Sequence, residues 1–154
     1  MNKTQRANFV KWMSALRSGT YSQGRGQLRI PVLDLDYNIT GMTYCCLGVA
    51  CDVVAPHRWN DATEFGPDRK TFLPSAQFMN EYFGIPLDQM PQSGNPLVVV
   101  NDTGGAVPVS TLNDLWGYSF PMIADLLEAT YLKPEEEAAA EAPVSTEVRE
   151  LVFA

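Results

Sequence analysis

The spacing of apolar residues predicts an amphipathic helix over residues 4–18. Its large apolar side chains recur at intervals of three and four, which places on one helical face Phe9, Trp12, Met13 and Leu16. Gly19 follows directly and is suited to end the helix. This helix is therefore expected to pack one face on a core.

A second helix is predicted over residues 44–54, where almost every side chain is apolar or small. Thr43 is the candidate N-cap, and Pro56 stops the helix after its last turn. Because no face of this segment is polar, we expect it to be the buried central helix of the fold.

Two further helices follow in the second half of the chain. Pro74 suits the first turn of one, which Gly84 closes. Ser119 and Pro121 open the last helix, whose inward side consists of Ile123, Leu126, Leu127 and Tyr131.

Strand signals are fewer. Residues 28–35 alternate loosely, and Pro31 favours a position at a sheet edge. Residues 38–41 resemble a turn. The clearest strand is residues 97–100, and the Asn-Asp-Thr-Gly-Gly segment after it predicts a hairpin that returns through residues 106–109.

These elements predict an α+β fold in a single domain: a central buried helix with about three further helices, packed on a small, mainly antiparallel sheet. The domain is expected to span residues 1–133. Residues 134–154 differ in composition: they form an acidic, Glu/Ala-rich linker followed by an apolar C-terminal tail. Such a tail could pair with a sheet edge or a neighbouring subunit, so a homo-oligomer is possible through this segment.

Charge is distributed unevenly along the chain. The net charge is -7, yet residues 1–33 carry six basic side chains and no acidic one. An acidic balance makes nucleic acid an unlikely partner, while the basic N-terminal third could still bind an anion. No apolar run is long enough to cross a membrane, and residues 1–6 do not resemble an export leader. We expect a cytoplasmic protein without a cofactor.

The three cysteines lie within seven residues. A thiol at a helix start can be a nucleophile, so Cys45 and Cys46 are the alternative catalytic candidates. The only histidine, His57, follows Cys46 by 11 residues, about 16 Å along a helix, which is too far for a base. Neighbouring cysteines also diverge by about 100° on a helix, so no metal site is expected. The preferred interpretation is that all three thiols pack the core.

Three polar features suggest an anionic ligand. They are the glycine-flanked Arg25 loop, the start of the central helix, and an Asn-Asp pair that precedes the last helix. Backbone N–H groups and arginine forks are typical phosphate ligands. With the other arginines of the basic third, the predicted ligand-binding residues are Arg17, Arg25, Arg29, Tyr44, Asn113 and Asp114.

Three segments carry a resemblance to a known group of proteins. They read LRSGTYSQGRGQLR at residues 16–29, YCCLGVACD at residues 44–52, and LND at residues 112–114 followed by SFPMIADLLE at residues 119–128. In this order the chain resembles, over roughly residues 8–131, a family of small uncharacterised phage and actinobacterial proteins. The resemblance implies a viral origin and action in the host cytoplasm, and it supplies no catalytic residues.

The leading hypothesis is a phage-encoded accessory protein that binds a host factor or a small phosphorylated or nucleotide ligand without catalysis, and so antagonises a host defence. Two alternatives remain open at this point. One is a cysteine-dependent hydrolase or transferase in which Asn113 or Asp114 orients the reacting group. The other is a virion or assembly component.

Overall fold

A computed structural model describes residues 1–100 and 105–132. Within these residues it contains five α-helices and two small sheets, which confirms the predicted α+β class. The predicted hairpin turn at residues 101–104 and the predicted acidic linker and apolar tail at residues 134–154 lie outside the described residues.

Helix α1 spans Lys3–Ser18, as its apolar spacing predicts. Asn2 caps its start: the Asn2 side chain accepts from the Gln5 N–H at 2.8 Å, and the Gln5 side chain accepts from the Asn2 N–H at 2.9 Å. Gly19 ends the helix in the left-handed conformation, with φ of 79°. The predicted apolar face is wholly buried.

Helix α2, Cys46–Val54, is the buried centre of the fold. Helix α1 packs across it, and the Trp12 indole donates a hydrogen bond to the Cys46 carbonyl oxygen at 3.0 Å. Leu28 packs on another side. A Cβ on Gly48 would lie 1.7 Å from the Leu28 carbonyl oxygen, so this close packing requires glycine.

The predicted start of the central helix was wrong by two residues. Thr43 and Tyr44 belong to strand β3, Ile39–Tyr44, and Cys45 is the N-cap of α2. The turn predicted at residues 38–41 was also misplaced, because Asp34 closes the chain reversal earlier, over residues 34–38. Pairing with strand β2, Arg29–Leu33, then holds residues 39–44 in an extended conformation that their sequence alone did not indicate.

The first sheet has the order β1-β3-β2. Strand β1, Ser22–Gln23, is only two residues long and runs parallel to the end of β3, while β2 is antiparallel to β3. The second sheet is the predicted hairpin of β4, Leu97–Val100, and β5, Gly105–Pro108. The sheets are therefore small and mainly antiparallel.

The remaining helices are α3 (Ala76–Phe83), α4 (Val109–Asp114) and α5 (Phe120–Tyr131). Helix α4 was not predicted, so the described part of the chain contains four helices besides α2, where about three were expected. Ser75 and Ser119 cap α3 and α5. Among the helices of the described residues, none has the length and apolar character needed to cross a membrane.

Candidate functional site

The loop of Gln23, Gly24, Arg25 and Gly26 leaves the first sheet beside the start of α2. The Gly24 N–H donates to the Tyr44 carbonyl oxygen at 2.7 Å, which extends the pairing of β1 with β3 by one bond. A Cβ on Gly24 would lie 2.7 Å from the Thr43 hydroxyl oxygen. Glycine therefore lets this loop lie directly against β3.

Asn113 fixes the loop to the end of α4. This side chain is fully buried, and its amide nitrogen donates to the Gly24 carbonyl oxygen at 2.9 Å and to the Asp114 carboxylate at 2.7 Å. Its amide oxygen accepts from the Gln23 side chain at 2.8 Å. Gln23 also donates to the Tyr118 carbonyl oxygen at 2.9 Å. Two of the three polar features predicted from sequence thus meet in one network.

The backbone N–H groups of both glycines in this loop are already used inside the protein. The Asp114 carboxylate accepts from the Gly26 N–H at 3.0 Å, and Gly24 is paired with Tyr44. The N–H groups of Gly24 and Gly26 therefore do not form the free anion cradle that the glycine pattern indicates. The charged group that this loop offers to an anion is the Arg25 side chain.

Arg25 is exposed and lies over the turn between α4 and α5. One guanidinium nitrogen, Nη2, lies 3.6 Å from the position of a Cβ on Gly117. Trp116, the residue before Gly117, is 48% exposed, and its ring centroid lies 6.0 Å from that of Tyr118. We call Arg25, Asp114, Trp116, Gly117 and Tyr118 the Arg25 surface. Within the described residues, Arg25 forms no ion pair.

Arg17 lies apart from this surface. Its guanidinium joins α1 to α5, with Nη2 2.7 Å from the Asp125 carboxylate and Nη1 3.2 Å from that of Glu128. These hydrogen bonds raise the pKa of Arg17 above its usual value. In the folded chain Arg17 therefore has a structural role, and its predicted contact with a ligand would require these ion pairs to break.

Arg29 is also engaged by the protein. It donates to the Ala62 carbonyl oxygen at 2.7 Å and to that of Asp61 at 3.0 Å, and its guanidinium lies 4.0 Å from the Trp59 ring centroid. Its Nη1 is 3.9 Å from the Asp52 carboxylate. The loop that contains Trp59 is thereby held against β2.

Tyr44 is half-buried near this group, and its ring meets Tyr21 edge-on at 4.9 Å. Burial raises the pKa of Tyr44, the charge of Asp52 adds to that effect, and Arg29 opposes it. Asp52 also accepts hydrogen bonds from the Tyr21 hydroxyl at 2.6 Å and from the Trp59 indole at 3.0 Å. Tyr44 and Arg29 are thus brought together, but in a different cluster from Arg25.

The start of α2, which is the third polar feature predicted from sequence, is buried and is capped by a side chain of the protein. The Cys45 sulfur accepts from the Gly48 N–H at 3.4 Å, and Cys46 and Leu47 are fully buried. Burial raises the pKa of the Cys45 thiol to about 12 and shifts the pKa of Cys46 in the same direction. The helix dipole therefore produces no reactive thiolate here, because burial outweighs it.

His57 follows the opposite end of α2, in the short 3-10 turn Pro56–Arg58, and it is exposed. The nine residues of α2 separate it from Cys46 by about 13 Å. In the part of the chain that the structure describes, no three His, Cys, Asp or Glu side chains are grouped to hold a metal ion.

Gln23, Trp116 and Tyr118 are not among the ligand-binding residues predicted from the sequence. Gln23 was the one of these residues that the sequence could have indicated. It lies in the first motif of the resemblance, near two glycines, where a side-chain amide can hold a loop by hydrogen bonds. The two aromatic residues gave no periodic signal, because they lie in a turn.

Two open depressions lie elsewhere on the surface. One, of about 450 Å³, is bordered by charges of both signs, including Arg58, Asp68 and Glu81. The other, of about 410 Å³, lies between α1 and α2 and is lined by Lys11, Tyr21 and Asp52 among others. We call the second one the Lys11 groove. Its lining includes the carboxylate of Asp52, which already accepts hydrogen bonds from Tyr21 and Trp59.

Comparison with known proteins assigns the chain to a family. A family model described as "Domain of unknown function (DUF8296)" matches residues 5–131, so the chain belongs to that family. The match covers every described element from α1 to α5. Neither the curated proteins nor the solved structures contain a significant match to the chain.

Proposed function

We propose that the protein is a non-catalytic binding protein that recognises a small phosphorylated or nucleotide ligand at the Arg25 surface. The observation that carries this proposal is the state of Arg25. Arg17 and Arg29 contact protein groups through their guanidinium nitrogens, whereas Arg25 is exposed on a loop fixed by the buried Asn113. Because the backbone of this loop is already ordered, binding an anion requires only the Arg25 side chain to be ordered, and its guanidinium can form two parallel hydrogen bonds with a phosphate.

The aromatic residues beside Arg25 support a ligand with a planar group. Trp116 is about half exposed, and its ring contacts that of Tyr118. An arginine can pair with a phosphate while an indole stacks on a base, so these groups suit a nucleotide better than free phosphate. The carboxylate of Asp114 is engaged by the Gly26 N–H, which reduces its repulsion of an approaching anion.

A thiol hydrolase or transferase is a weaker account of the same residues. Cys45 and Cys46 are buried, and the pKa of both is raised. Asn113 and Asp114, the proposed orienting pair, are already hydrogen-bonded to the Arg25 loop. A nucleophile that is protonated and inaccessible at neutral pH does not fit this chemistry.

The biological setting is part of the proposal. The motif resemblance supports a phage-encoded accessory protein that acts in the host cytoplasm. There a protein that sequesters a phosphorylated signal, or the acidic segment of a host factor, would blunt a host defence. Reversible binding without turnover suits that role, because the amount of protein then sets the amount of ligand removed.

Isothermal titration calorimetry tests the proposal with three probes: inorganic phosphate, adenosine monophosphate and guanosine monophosphate. We expect a nucleotide to bind more tightly than phosphate. Arg25→Ala should weaken the affinity for the nucleotide about tenfold to a hundredfold, since a charged hydrogen bond contributes about 1.5–3 kcal/mol. Trp116→Ala should weaken the binding of the nucleotides but not that of phosphate. Recovery of unchanged nucleotide after incubation would exclude turnover.

Arg69→Ala is the matched control, because Arg69 is an exposed arginine on another loop, paired with Glu64 at 2.5 Å. It should leave binding unchanged. Equal losses in the Arg25 and Arg69 variants would point to non-specific charge attraction and would contradict the site. Failure of all three probes to bind would reject a phosphorylated small ligand.

A further inference from the structure

The hairpin of β2 and β3 exposes an unusual run of side chains at its tip. All residues from 32 to 40 are exposed. Five of them are large and apolar: Val32, Leu33, Leu35, Tyr37 and Ile39. Leu35 is 99% exposed and Tyr37 is 82% exposed. Single exposed apolar residues are ordinary, but a cluster of this kind on one protruding element is typical of an interaction surface.

The tip is held in one conformation although it packs on nothing. The Asp34 carboxylate accepts from the N–H groups of Asp36 at 2.8 Å and Asn38 at 2.9 Å. The backbone of Asp34 and Asn38 is also paired, at 3.0 Å. The Thr40 hydroxyl donates to the Val32 carbonyl oxygen at 3.1 Å. These bonds preorganise the hairpin, so little conformational entropy is lost when it binds.

Tyr37 adopts a conformation that a bulky residue rarely takes. Its φ is 64°, in the left-handed region where glycine or asparagine is normally found. Placing an aromatic residue there costs free energy, and no packing on the protein compensates, because the ring is exposed. The hydrogen bonds of the turn, including one from the Tyr37 N–H to the Asp34 carbonyl oxygen at 3.0 Å, hold this conformation and direct an exposed tyrosine, a residue enriched among those that dominate binding interfaces, to the tip.

The charge around the tip indicates what kind of surface it would meet. Asp34 and Asp36 flank Leu35, and residues 30–56 contain no lysine or arginine. An apolar tip edged by carboxylates is complementary to an apolar groove bordered by basic side chains. The same carboxylates oppose contact with an anionic lipid surface.

We propose that the hairpin tip of residues 32–39 is a docking element that inserts Leu35 and Tyr37 into an apolar groove, bordered by lysine or arginine, on a partner protein. This surface is distinct from the Arg25 surface. Gly24 pairs with Tyr44 at one end of β3, whereas the tip begins at Ile39 at the other, about 17 Å away for five residues of strand.

The partner is identified by photocrosslinking from position 35. The full chain, with p-benzoylphenylalanine in place of Leu35, is irradiated in cells that express it from its own gene, and the same label at Gln77 serves as the exposed control. The partner identified by the crosslink is then purified, and its affinity for the chain without the crosslinker is measured by calorimetry. We expect Leu35→Ser to weaken that affinity at least tenfold and Asp36→Lys to weaken it in a salt-dependent way.

Tyr37→Gly separates docking from folding. Glycine relieves the left-handed strain, so the melting temperature should stay the same or rise while the partner affinity falls at least tenfold. Arg25→Ala should bind the partner with the affinity of the wild type. The docking proposal and the proposed ligand site can therefore fail independently, and the two failures can be distinguished.

Four results would overturn the docking proposal. The first is that position 35 crosslinks no more than position 77, and the second is that all hairpin variants bind the partner with unchanged affinity. The third is a crosslink to a second copy of the chain, together with a dimer in light scattering. The fourth is that the chain cosediments with phosphatidylcholine vesicles and that Leu35→Ser abolishes this cosedimentation. The third would make the hairpin an oligomer contact, and the fourth a membrane contact.

Discussion

The side chain of Asn113 donates to the carbonyl oxygen of Gly24 at 2.9 Å, across 89 positions of sequence. This bond joins the end of α4 to the loop that carries Arg25. Because Asn113 is fully buried and Gly24 lies against β3, the position of the Arg25 backbone is determined by the core rather than by solvent. The candidate site therefore depends on a residue that a ligand would not touch.

Replacing Asn113 should destabilise the protein and loosen the loop. Asn113→Ala leaves the Gly24 carbonyl oxygen and the Gln23 amide without this partner, so we expect a loss of about 2–4 kcal/mol in the free energy of unfolding. Asn113→Asp should cost more, because a second carboxylate would face that of Asp114. Urea denaturation measures both changes.

The control for this prediction is Gln77→Ala, which removes an exposed amide from α3. It should change the free energy of unfolding by less than about 0.5 kcal/mol. A loss below about 1 kcal/mol in Asn113→Ala would mean that the network contributes less than a single buried hydrogen bond. In that case Asn113 would not be the residue that fixes the loop.

Gly48 should be intolerant of any side chain. A Cβ there would lie 1.7 Å from the Leu28 carbonyl oxygen, a backbone atom that cannot rotate away. We expect Gly48→Ala to cost more than about 3 kcal/mol, above the usual range for overpacking. Gly41→Ala is the matched control, because nothing lies within 4 Å of its Cβ position. Similar melting temperatures for the two variants would show that the packing of α2 against Leu28 is looser than described.

The central helix shows which structural features could be predicted from the sequence and which could not. Its burial was predictable, since residues 46–51 are all apolar or small. Its start was not, because Thr43 is a good N-cap by type, whereas pairing with β2 keeps Thr43 and Tyr44 in a strand. Strand pairing across residues 29–44 is a tertiary effect that overrides local capping preference.

The candidate site was predictable only in part, for the same reason. A glycine-flanked arginine and an Asn-Asp pair are visible in the sequence, but their contact depends on how the fold brings the end of α4 to the loop after β1. Arg17, Arg25 and Arg29 are equivalent by residue type. Only the fold gives Arg17 its two carboxylates and Arg29 its carbonyl oxygens, leaving Arg25 exposed.

The buried thiols predict a loss of stability at alkaline pH. Burial raises the pKa of Cys45 from 9.0 to about 12 in the folded chain, and Cys46 and Cys51 shift in the same direction. Stability is therefore complete below pH 9 and falls above it, as the unfolded chain releases thiol protons that the folded chain retains. The contribution of each thiol to the slope is about half of 1.4 kcal/mol per pH unit at pH 9 and approaches about 1.4 kcal/mol per pH unit at higher pH.

Urea denaturation between pH 8 and pH 10 measures this slope, and Cys45→Ser is the informative variant. Serine keeps an oxygen that can cap α2 but does not titrate in this range, so the total loss of stability between pH 8 and pH 10 should be smaller by about 1.4 kcal/mol. Tyr21 and Tyr131 also have a raised pKa, which steepens the decline nearer pH 10 in both proteins. Rapid alkylation of the native protein at pH 7, or an unchanged slope in Cys45→Ser, would show that the thiols are accessible.

The central claim is that Arg25, held by Asn113, contacts an anionic ligand. Two-dimensional ¹H–¹⁵N NMR during titration with adenosine monophosphate tests it most directly. We predict that the largest shift changes occur at the amides of Arg25, Gly26 and Gly117 and at the Trp116 indole, and that Arg25→Ala abolishes them. Changes confined to the Lys11 groove, or changes that persist in Arg25→Ala, would contradict the account.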